Sequence, residues 1–284
     1  MSSKRKNLII YHDECTDGFA AYWVIQKFLS EVSEESIGLP AKAGQRMPAC
    51  DTADIGSAIL VDICFEEEDI TTLAGQVDHL LVLDHHKTAI EYWKDRQRPY
   101  NSDFDFRDNK SGAALALEYF HPRSKPWFIE YVSDHDLNQH NLPNSKEISA
   151  YIQSFERTVE SYDELENKDV DEARCAGKLI LANLEKIAKQ VIESSCSFTK
   201  FRRLNVPVVN SPFPIYQTVL QQLLLTYPLA VSFYKTKENR WKLSARSRED
   251  SAITAYELIE SIGKGGGGHK HAAGVTIDSL DDIW

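Results

Sequence analysis

Three uninterrupted apolar runs place the strongest constraint on the fold of this chain. They cover residues 8–11, 58–61 and 80–83, and none of them alternates with polar residues. Strands of this kind are buried on both faces, as in a parallel sheet covered by helices. Helical spacing at 18–29 and 67–74 separates the runs, so strands and helices alternate. The sequence therefore predicts an α/β fold with an N-terminal, doubly wound, mainly parallel sheet.

Two more regions follow this sheet in the sequence. Residues 156–204 are charged and carry apolar residues in helical register, which indicates a helical connector. Beyond it, the apolar segments 229–234 and 241–246 flank a polar turn and predict a β-hairpin. We therefore expect an N-terminal domain over 1–155, the helical connector, and a smaller α/β domain with a mixed sheet over 205–284.

The acidic charge of the chain is concentrated in its first half. The formal net charge is −11, and residues 1–150 hold 15 Lys and Arg against 25 Asp and Glu. A protein that grips long nucleic acid normally has a basic surface, so we expect no long duplex as a partner. The acidic half indicates either bound cations or a solvated acidic surface.

Cysteine use and hydropathy bear on the compartment. The five cysteines include no CxxC pair, which is typical of reduced thiols in a cytoplasm. No apolar run approaches the roughly 20 residues of a membrane span, and the N-terminal apolar stretch is too short for a signal peptide. The sequence predicts a cytoplasmic protein without membrane contact, as a monomer or a homodimer.

Aspartate and histidine side chains follow four apolar segments. We interpret these segments as strands, so that the side chains lie at four strand ends. They are His12 with Asp17, then Asp62, then Asp84 with His85 and His86, and finally Asp134 with Asp136. Ligands of parallel α/β sheets bind at the carboxyl ends of strands. One aspartate there is usually a turn former or a helix cap, but four such ends favour a metal site. These donors suit Mn²⁺, with Mg²⁺, Co²⁺ or Zn²⁺ as alternatives, and they suffice for two ions that share a carboxylate.

A glycine-rich segment near the C-terminus indicates a second contact site. It contains Gly266, Gly267, Gly268 and His269. Glycine lets a phosphate approach backbone N–H groups closely, although the segment is neither a Walker A loop nor a Rossmann fingerprint. The alternative is a flexible linker. Arg246, on the predicted hairpin, offers a planar fork for a phosphate or carboxylate, and Ser111 begins a helix whose N-terminus favours an anion.

Together these motifs resemble the DHH family of phosphoesterases with its DHH-associated C-terminal domain. The name-giving Asp84-His85-His86 follows an apolar strand, as in the family. His12 with Asp17 is similar to the first family motif, and Asp62 is similar to the second. Residues 134–136 are similar to the fourth motif. The glycine-rich segment with its histidine resembles the signature of the C-terminal domain, so the match spans both ends of the chain.

The resemblance implies a two-metal hydrolysis of a phosphate ester. One ion would be held by His12, Asp62 and a carboxylate of the first motif, which is Asp13 or Glu14 because the spacing of this motif departs from that of the family. The other ion would be held by Asp17, Asp62, His85 and a carboxylate of the fourth motif, for which we favour Asp134 over Asp136. Asp84 would orient an imidazole, and His86 would donate to a phosphate oxygen. The implied substrate-binding residues are Ser111, Arg246, Gly266, Gly267, Gly268 and His269.

The expected substrate is short. Two lobes that grip opposite ends of a molecule favour a small one, and the chain lacks room for the extra nucleic-acid-binding domain of RecJ-like exonucleases. We expect a phosphodiesterase or 3′-phosphatase that acts on oligonucleotides of a few residues. The alternatives are a 3′,5′-bisphosphate nucleotidase, a cyclic or linear dinucleotide phosphodiesterase, a RecJ-like exonuclease, an inorganic pyrophosphatase, and a binding protein without catalysis.

Overall fold

The computed structural model describes residues 5–201, 203–262 and 266–280, except for the side chain of residue 269. The chain divides into two compact units, residues 1–179 and residues 180–284. The N-terminal unit contains β1 (Lys6–His12), α1 (Thr16–Glu31), β2 (Ser36–Ala41), β3 (Ile55–Val61), α2 (Glu67–Ala74), β4 (His79–Asp84), α3 (Lys87–Trp93), β5 (Ser102–Phe106), α4 (Gly112–Phe120), α5 (Trp127–Asp136), α6 (Ser145–Gln153) and α7 (Val159–Glu166).

A five-stranded parallel sheet forms the centre of the N-terminal unit. Its strand order is β2-β1-β3-β4-β5, and every neighbouring pair is parallel. The three predicted apolar runs form the three central strands, where Ile10, Leu60 and Leu80 are fully buried. The predicted α/β fold with a parallel sheet is therefore confirmed. Because β1, β3 and β4 are adjacent and parallel, their carboxyl ends lie at one edge of the sheet.

The two edge strands have no counterpart among the predicted runs. The β5 strand alternates Ser-Asp-Phe-Asp-Phe, and β2 contains Pro40. Proline cannot donate a ladder hydrogen bond and is tolerated on edge strands. Half-exposed edges of this kind lack the continuous apolar pattern that marks the buried strands.

One predicted strand end is wrong. The apolar residues at 129–132, which precede Asp134 and Asp136, belong to the helix α5 rather than to a strand. The buried residues Phe128, Ile129 and Val132 recur at helical spacing, so one face of a helix packs on the core. The fourth cluster therefore comes from the last turn of a helix.

The C-terminal unit is built on a mixed six-stranded sheet. The long helix α8 (Val170–Ser195) contains the boundary between the units, and it is followed by β6 (Cys196–Phe201), β7 (Leu204–Asn210), α9 (Tyr216–Leu224), β8 (Leu229–Lys235), β9 (Trp241–Ser247), α10 (Ala255–Glu260), β10 (Gly267–His269) and β11 (Ala272–Ile277). The strand order is β10-β11-β9-β8-β7-β6. Only the β7–β8 pair is parallel among these described strands. The predicted hairpin is confirmed as β8 and β9.

Part of the glycine-rich segment forms a strand rather than a flexible linker. Residues 267–269 form β10, which pairs antiparallel with β11, because glycines without side chains allow close strand approach. Each unit has its own apolar core, one around Leu60 and Val82 and the other around Val231 and Leu243. Among the described residues, no helix combines the length and the apolar character that a bilayer crossing requires.

Candidate metal centre

Six histidine and aspartate side chains meet at the carboxyl ends of β1, β3 and β4. They form two groups, and within each group the donor atoms all lie within 4.8 Å of one another. The first group contains His12, Asp62 and His86, and the second contains Asp17, His85 and Asp136. These residues come from strands and helices that are distant in sequence. They meet because the parallel sheet brings the carboxyl ends of its strands to one edge.

The carboxylate of Asp62 belongs to the first group and also reaches the second. Its Oδ1 atom is 3.0 Å from Nε2 of His85, and its Oδ2 atom is 3.3 Å from Nδ1 of His12. The side chain is 1% exposed. The backbone of Asp62 has a positive φ of 58°, a left-handed conformation that is uncommon outside glycine and that concentrates at functional sites. Each oxygen of this carboxylate therefore faces an imidazole from a different group.

The N-terminus of α4 holds Asp17, one member of the second group. Nε2 of His85 is 3.3 Å from Oδ2 of Asp136 and 3.9 Å from Oδ2 of Asp17. The backbone N–H groups of Gly112 and Ala113 donate to the two oxygens of Asp17 over 2.6 and 3.0 Å. The first N–H groups of a helix have no partner within the helix, and the helix dipole favours an anion there. The α4 terminus therefore fixes the Asp17 carboxylate beside His85.

Two glycines allow the segments of the site to approach one another. A Cβ atom on Gly112 would lie 2.5 Å from Cβ of Asp62, and one on Gly18 would lie 2.4 Å from the carbonyl oxygen of His12. Contacts this short do not occur between real side chains, so any other residue would push the segments apart. The predicted Ser111 directly precedes Gly112 and is fully buried. Its hydroxyl accepts from the N–H of Ala114, so it caps α4.

Asp84 organises the turn that follows β4. Its Oδ1 atom accepts from the backbone N–H groups of His85 and His86, over 2.7 and 3.2 Å. The same oxygen is 2.7 Å from Nδ1 of His86. Asp84 belongs to neither donor group. It orients the His86 ring, as partners of metal-binding histidines commonly do.

Buried carboxylates shift the protonation of the histidines. Burial lowers the pKa of His85 and His86, but nearby carboxylates outweigh it and raise the pKa of His85 to about 9 and that of His86 to about 10. Burial together with Asp62 raises the pKa of Asp136 to about 6. Burial, followed by Asp62, also raises the pKa of Asp17 well above its usual value. All four shifts reflect carboxylates crowded together in a buried site, an arrangement that favours positive charge there.

The donor set fits divalent cations. Nδ1 of His12 and Oδ2 of Asp62 are buried and lie 3.3 Å apart, but neither makes a well-aligned hydrogen bond in the described part of the chain. Buried polar atoms without a partner are costly, and a cation between these two would satisfy both. Imidazole nitrogens and carboxylate oxygens together suit borderline ions such as Mn²⁺ and Zn²⁺, and all-carboxylate oxygen sets suit Mg²⁺.

Two predicted ligands lie outside both groups. Glu14 is 3.3 Å from Nζ of Lys42 through its Oε1 atom, and both side chains are about half exposed. Asp134 accepts from the backbone N–H groups of Asn141 and Leu142 and from the hydroxyl of Ser145. It holds the chain that leads into α6. Of the two aspartates in α5, the structure brings Asp136 into the site.

Cys15 is a residue of this site that the sequence patterns did not single out. It directly precedes α1. Burial and then the carboxylates of Asp62, Asp136 and Asp17 raise the pKa of its thiol well above the usual value. The sequence signal that could have placed Cys15 in the site is its position two residues before the predicted ligand Asp17.

The other predicted substrate-binding residues lie in the C-terminal unit. Arg246 is on β9, and burial lowers the pKa of its guanidinium. One of its terminal nitrogens donates to the carbonyl of Ala245, and no carboxylate of the described residues lies within ion-pair distance. Such a guanidinium is suited to an anion.

The glycine residues of this unit allow tight strand packing. A Cβ atom on Gly266 would lie 2.3 Å from Cγ2 of Ile259. Gly268 has a φ of 138°, and a Cβ atom there would lie 2.4 Å from the carbonyl oxygen of Ala272. Gly267 has open space around it. The side chain of His269 lies outside the described residues.

Comparison with known proteins identifies the C-terminal part and a viral relative. Residues 216–283 match the DHHA1 domain model. An uncharacterized protein of Acanthamoeba polyphaga mimivirus is 24% identical over 298 aligned positions, which cover 96% of this chain and 68% of the viral protein. The domain match includes Arg246 and the glycine-rich segment.

Solved structures share the fold of the whole chain. RecJ from Thermus thermophilus, in complex with Mn²⁺, matches with a TM-score of 0.57 and 14% identity over 97% of this chain. The chain spans 50% of the length of that RecJ. An exopolyphosphatase-related protein from Bacteroides fragilis matches with a TM-score of 0.57 and 12% identity, over 95% of this chain and 86% of that protein. At these identities the likeness is one of fold.

Proposed function

We propose that the chain, which shares the fold of RecJ and matches the DHHA1 domain model over residues 216–283, is a DHH-family, divalent-metal-dependent phosphoesterase for short oligonucleotides. The observation that carries the proposal is the pair of histidine–aspartate groups, in which the Asp62 carboxylate of the first group also contacts His85 of the second. Two ions that share one carboxylate are typical of enzymes that hydrolyse phosphate esters.

The two groups would each hold one ion. His12, Asp62 and His86 are the donors of the first, and Asp17, His85 and Asp136 are the donors of the second, with Asp62 shared. Mn²⁺ is the expected ion. When bound, the two ions supply a hydroxide near neutral pH and neutralise the charge that develops on the phosphoryl oxygens.

The residues around the donors keep them in position. Asp84 holds Nδ1 of His86 and the turn after β4. The first N–H groups of α4 hold Asp17, and the buried hydroxyl of Ser111 caps that helix. These contacts fix the donor geometry before a substrate arrives, which reduces the reorganisation needed during the reaction.

Arg246 and the glycine-rich segment would bind a phosphate of the substrate. A guanidinium can donate two parallel N–H bonds to a phosphate, and Arg246 has no competing carboxylate among the described residues. The open surroundings of Gly267 would let a phosphate approach the backbone. The backbone of His269 lies in the same strand.

The charge distribution supports a short substrate. Residues 1–150 are strongly acidic, whereas affinity for long nucleic acid comes mainly from phosphate neutralisation by basic side chains. A substrate with few phosphates depends less on such a surface. We therefore propose oligonucleotides of a few residues over long single or double strands.

The proposal is tested with a ladder of labelled RNA and DNA from dinucleotide to 24-mer. Metal-stripped protein is incubated with Mn²⁺, and the variant Asp62→Asn is the inactive control, because it keeps the shape of the side chain and removes the shared charge. We expect rapid loss of the di- to pentanucleotides with the wild-type protein only. Equal degradation of every length would instead indicate a RecJ-like exonuclease.

The same preparations distinguish the other substrates. Phosphate release is measured from pyrophosphate, polyphosphate, a 3′,5′-bisphosphate nucleotide and a cyclic dinucleotide. The likeness to an exopolyphosphatase-related fold makes polyphosphate the first of these. If the kcat/KM for one of these substrates is higher than the kcat/KM for every oligonucleotide, the oligonucleotide proposal is rejected. Retention of the substrate without any turnover would indicate a binding protein.

A further inference from the structure

Two arginine and three aromatic side chains form two stacked groups on α3, on the edge strand β5 and on the residues between them. They are Tyr92, Arg96, Arg98, Phe104 and Phe106, and we name them the arginine–aromatic strip. Cζ of Arg96 is 3.8 Å from the ring centroid of Tyr92. Cζ of Arg98 is 4.9 Å from the centroid of Phe104 and 5.6 Å from that of Phe106. Each guanidinium is thus stacked on a ring.

One end of this strip lies beside the metal centre. Phe106 pairs with Asp84 in the parallel ladder between β4 and β5. Neighbouring strands are about 4.8 Å apart, and paired residues of parallel strands point to the same face. Phe106 therefore lies next to the aspartate that orients His86. Phe104 lies two residues further from the site along β5, and the guanidinium of Arg98 contacts both rings.

The guanidinium of Arg98 has no acidic partner in the described part of the chain. Arg107 is paired with Asp105 and Glu118, at 2.6 and 2.9 Å. In contrast, the polar contact of Arg98 is a long one of 3.5 Å to the carbonyl of Phe104. Its side chain is exposed, so one face of the guanidinium stacks on the rings and the other face is open to a ligand.

The local charge also differs from that of the surrounding unit. Residues 87–110 hold six Lys and Arg against five Asp and Glu, whereas residues 1–150 as a whole hold 15 against 25. The Tyr92 end of the strip lies against the acidic first turn of α2, where Oε2 of Glu67 is 3.8 Å from Nε of Arg96, so the positive charge of this segment is left without an acidic partner mainly at Arg98. Tyr100, in the same segment, is fully exposed.

These observations together point to single-stranded nucleic acid. Proteins that bind it without strong sequence preference combine positive charge for the backbone with flat groups on which bases stack. Arginine serves both purposes, since its planar guanidinium stacks on a base and donates to phosphate. A phosphoanhydride chain has phosphates but no bases and would not use the stacking faces.

We propose that the arginine–aromatic strip binds the part of a single-stranded oligonucleotide that extends beyond the nucleotide at the metal centre. This inference rests on the proposed function. It adds a binding site for the second and later bases of the oligonucleotide substrate. It predicts that the strip contributes to affinity only for substrates long enough to reach it. A dinucleotide held at the metals does not depend on Arg98.

The test measures binding and turnover separately in the full chain loaded with Mn²⁺. Binding is measured by fluorescence anisotropy with single-stranded phosphorothioate oligonucleotides of two, four and six residues, which resist hydrolysis. Turnover is measured with the unmodified oligonucleotides. The variants are Arg98→Ala and Arg98→Met, the latter of which keeps an aliphatic cover over Phe104. The control is Arg123→Ala, an exposed arginine outside the strip.

We expect both Arg98 variants to weaken binding of the tetra- and hexanucleotide by about five-fold or more, the lower end of what one stacked base contributes. Binding of the dinucleotide and the behaviour of Arg123→Ala should match the wild-type protein. An equal effect of Arg98→Met on all three lengths, or none on any, overturns the proposal. A similar loss in Arg98→Ala alone would mean that the side chain only covers Phe104, and this also overturns it.

The two proposals fail in different ways. If the wild-type protein binds the longer oligonucleotides through Arg98 but hydrolyses none, the strip stands and the proposed activity is wrong. If it hydrolyses them and the Arg98 variants do so with unchanged KM at every length, the activity stands and the strip is wrong.

Discussion

Asp134 and Asp136 lie two residues apart near the end of α5, but their carboxylates have different surroundings. Asp134 accepts hydrogen bonds from Asn141, Leu142 and Ser145, whereas Asp136 faces His85 at 3.3 Å. The first holds a loop and the second offers a metal donor. Replacing either carboxylate by an amide of the same shape therefore separates a structural contribution from a ligand.

We predict that Asp136→Asn loses one of two bound Mn²⁺ ions and keeps nearly wild-type stability. Asp134→Asn should keep both ions. Its free energy of unfolding should fall by about 1–3 kcal/mol, because the charge-assisted hydrogen bonds that hold a loop are weakened. Metal content after desalting is measured by mass spectrometry, and stability is measured by denaturant unfolding. A loss of Mn²⁺ in Asp134→Asn with no loss in Asp136→Asn would reverse the assignment.

Asp84 acts on the site through His86. We predict that Asp84→Asn lowers kcat/KM by about 10- to 100-fold, which is the usual effect of removing the partner of a metal-binding histidine. Both Mn²⁺ ions should still bind at saturating metal. The matched control is Asp78→Asn, an exposed carboxylate paired with Arg5, which should retain full activity. Wild-type kinetics in Asp84→Asn would show that the His86 ring does not need this contact.

Sequence patterns singled out most of the side chains that the structure brings together but could not choose between neighbours. His12, Asp17, Asp62 and His85 follow or precede buried elements closely enough for their positions to be predicted. Asp134 and Asp136 depend on how the last turn of a helix is rotated about its axis. Glu14 has a positive φ of 56°, and this turn carries its side chain towards Lys42. Neither rotation is encoded in residue type or spacing.

At the scale of elements, α4 meets the sheet through a glycine. Gly112 gives its N–H group to Asp17, and its missing side chain leaves room for Asp62. We predict that Gly112→Ala destabilises the protein by about 1–3 kcal/mol, the usual cost of overpacking, and also weakens Mn²⁺ binding. Calorimetric titration with Mn²⁺ and thermal unfolding measure the two effects.

The control for this prediction is Gly75→Ala at the end of α2. A Cβ atom there would lie 3.4 Å from the carbonyl oxygen of Thr71, which is an ordinary contact. This variant should keep wild-type metal binding and change stability by less than about 1 kcal/mol. If both glycine variants bound Mn²⁺ as the wild-type protein does, α4 would not be part of the support of the site.

The elements themselves were predictable to the extent that they are buried. The central strands carry continuous apolar runs, because helices cover both faces of the sheet. The edge strands β2 and β5 are only partly buried. Their sequences alternate or contain proline, and such patterns do not predict a strand of a parallel sheet. The segment before Asp134 is apolar and short, and a short apolar run does not distinguish a strand from a helix.

At the scale of the whole molecule, the proposed metal donors and the DHHA1 match fall in different units. All six donors lie within residues 1–179, and the domain match lies within residues 180–284. Each unit also has a separate apolar core. A ligand that binds only the folded form stabilises what it binds, by about 2.7 kcal/mol at a concentration one hundred times its Kd.

Metal binding should therefore protect one unit far more than the other. We predict that adding Mn²⁺ to the metal-stripped protein slows amide hydrogen exchange in β1, β3 and β4, and leaves β8 and β9 within experimental error. Asp62→Asn, with the shared carboxylate removed, should show little protection anywhere. Exchange is followed by mass spectrometry of peptides from both units. Equal slowing in β8 and β9 of the wild-type protein would mean that the metal stabilises both units together, and the donors of the N-terminal unit alone would not explain that result.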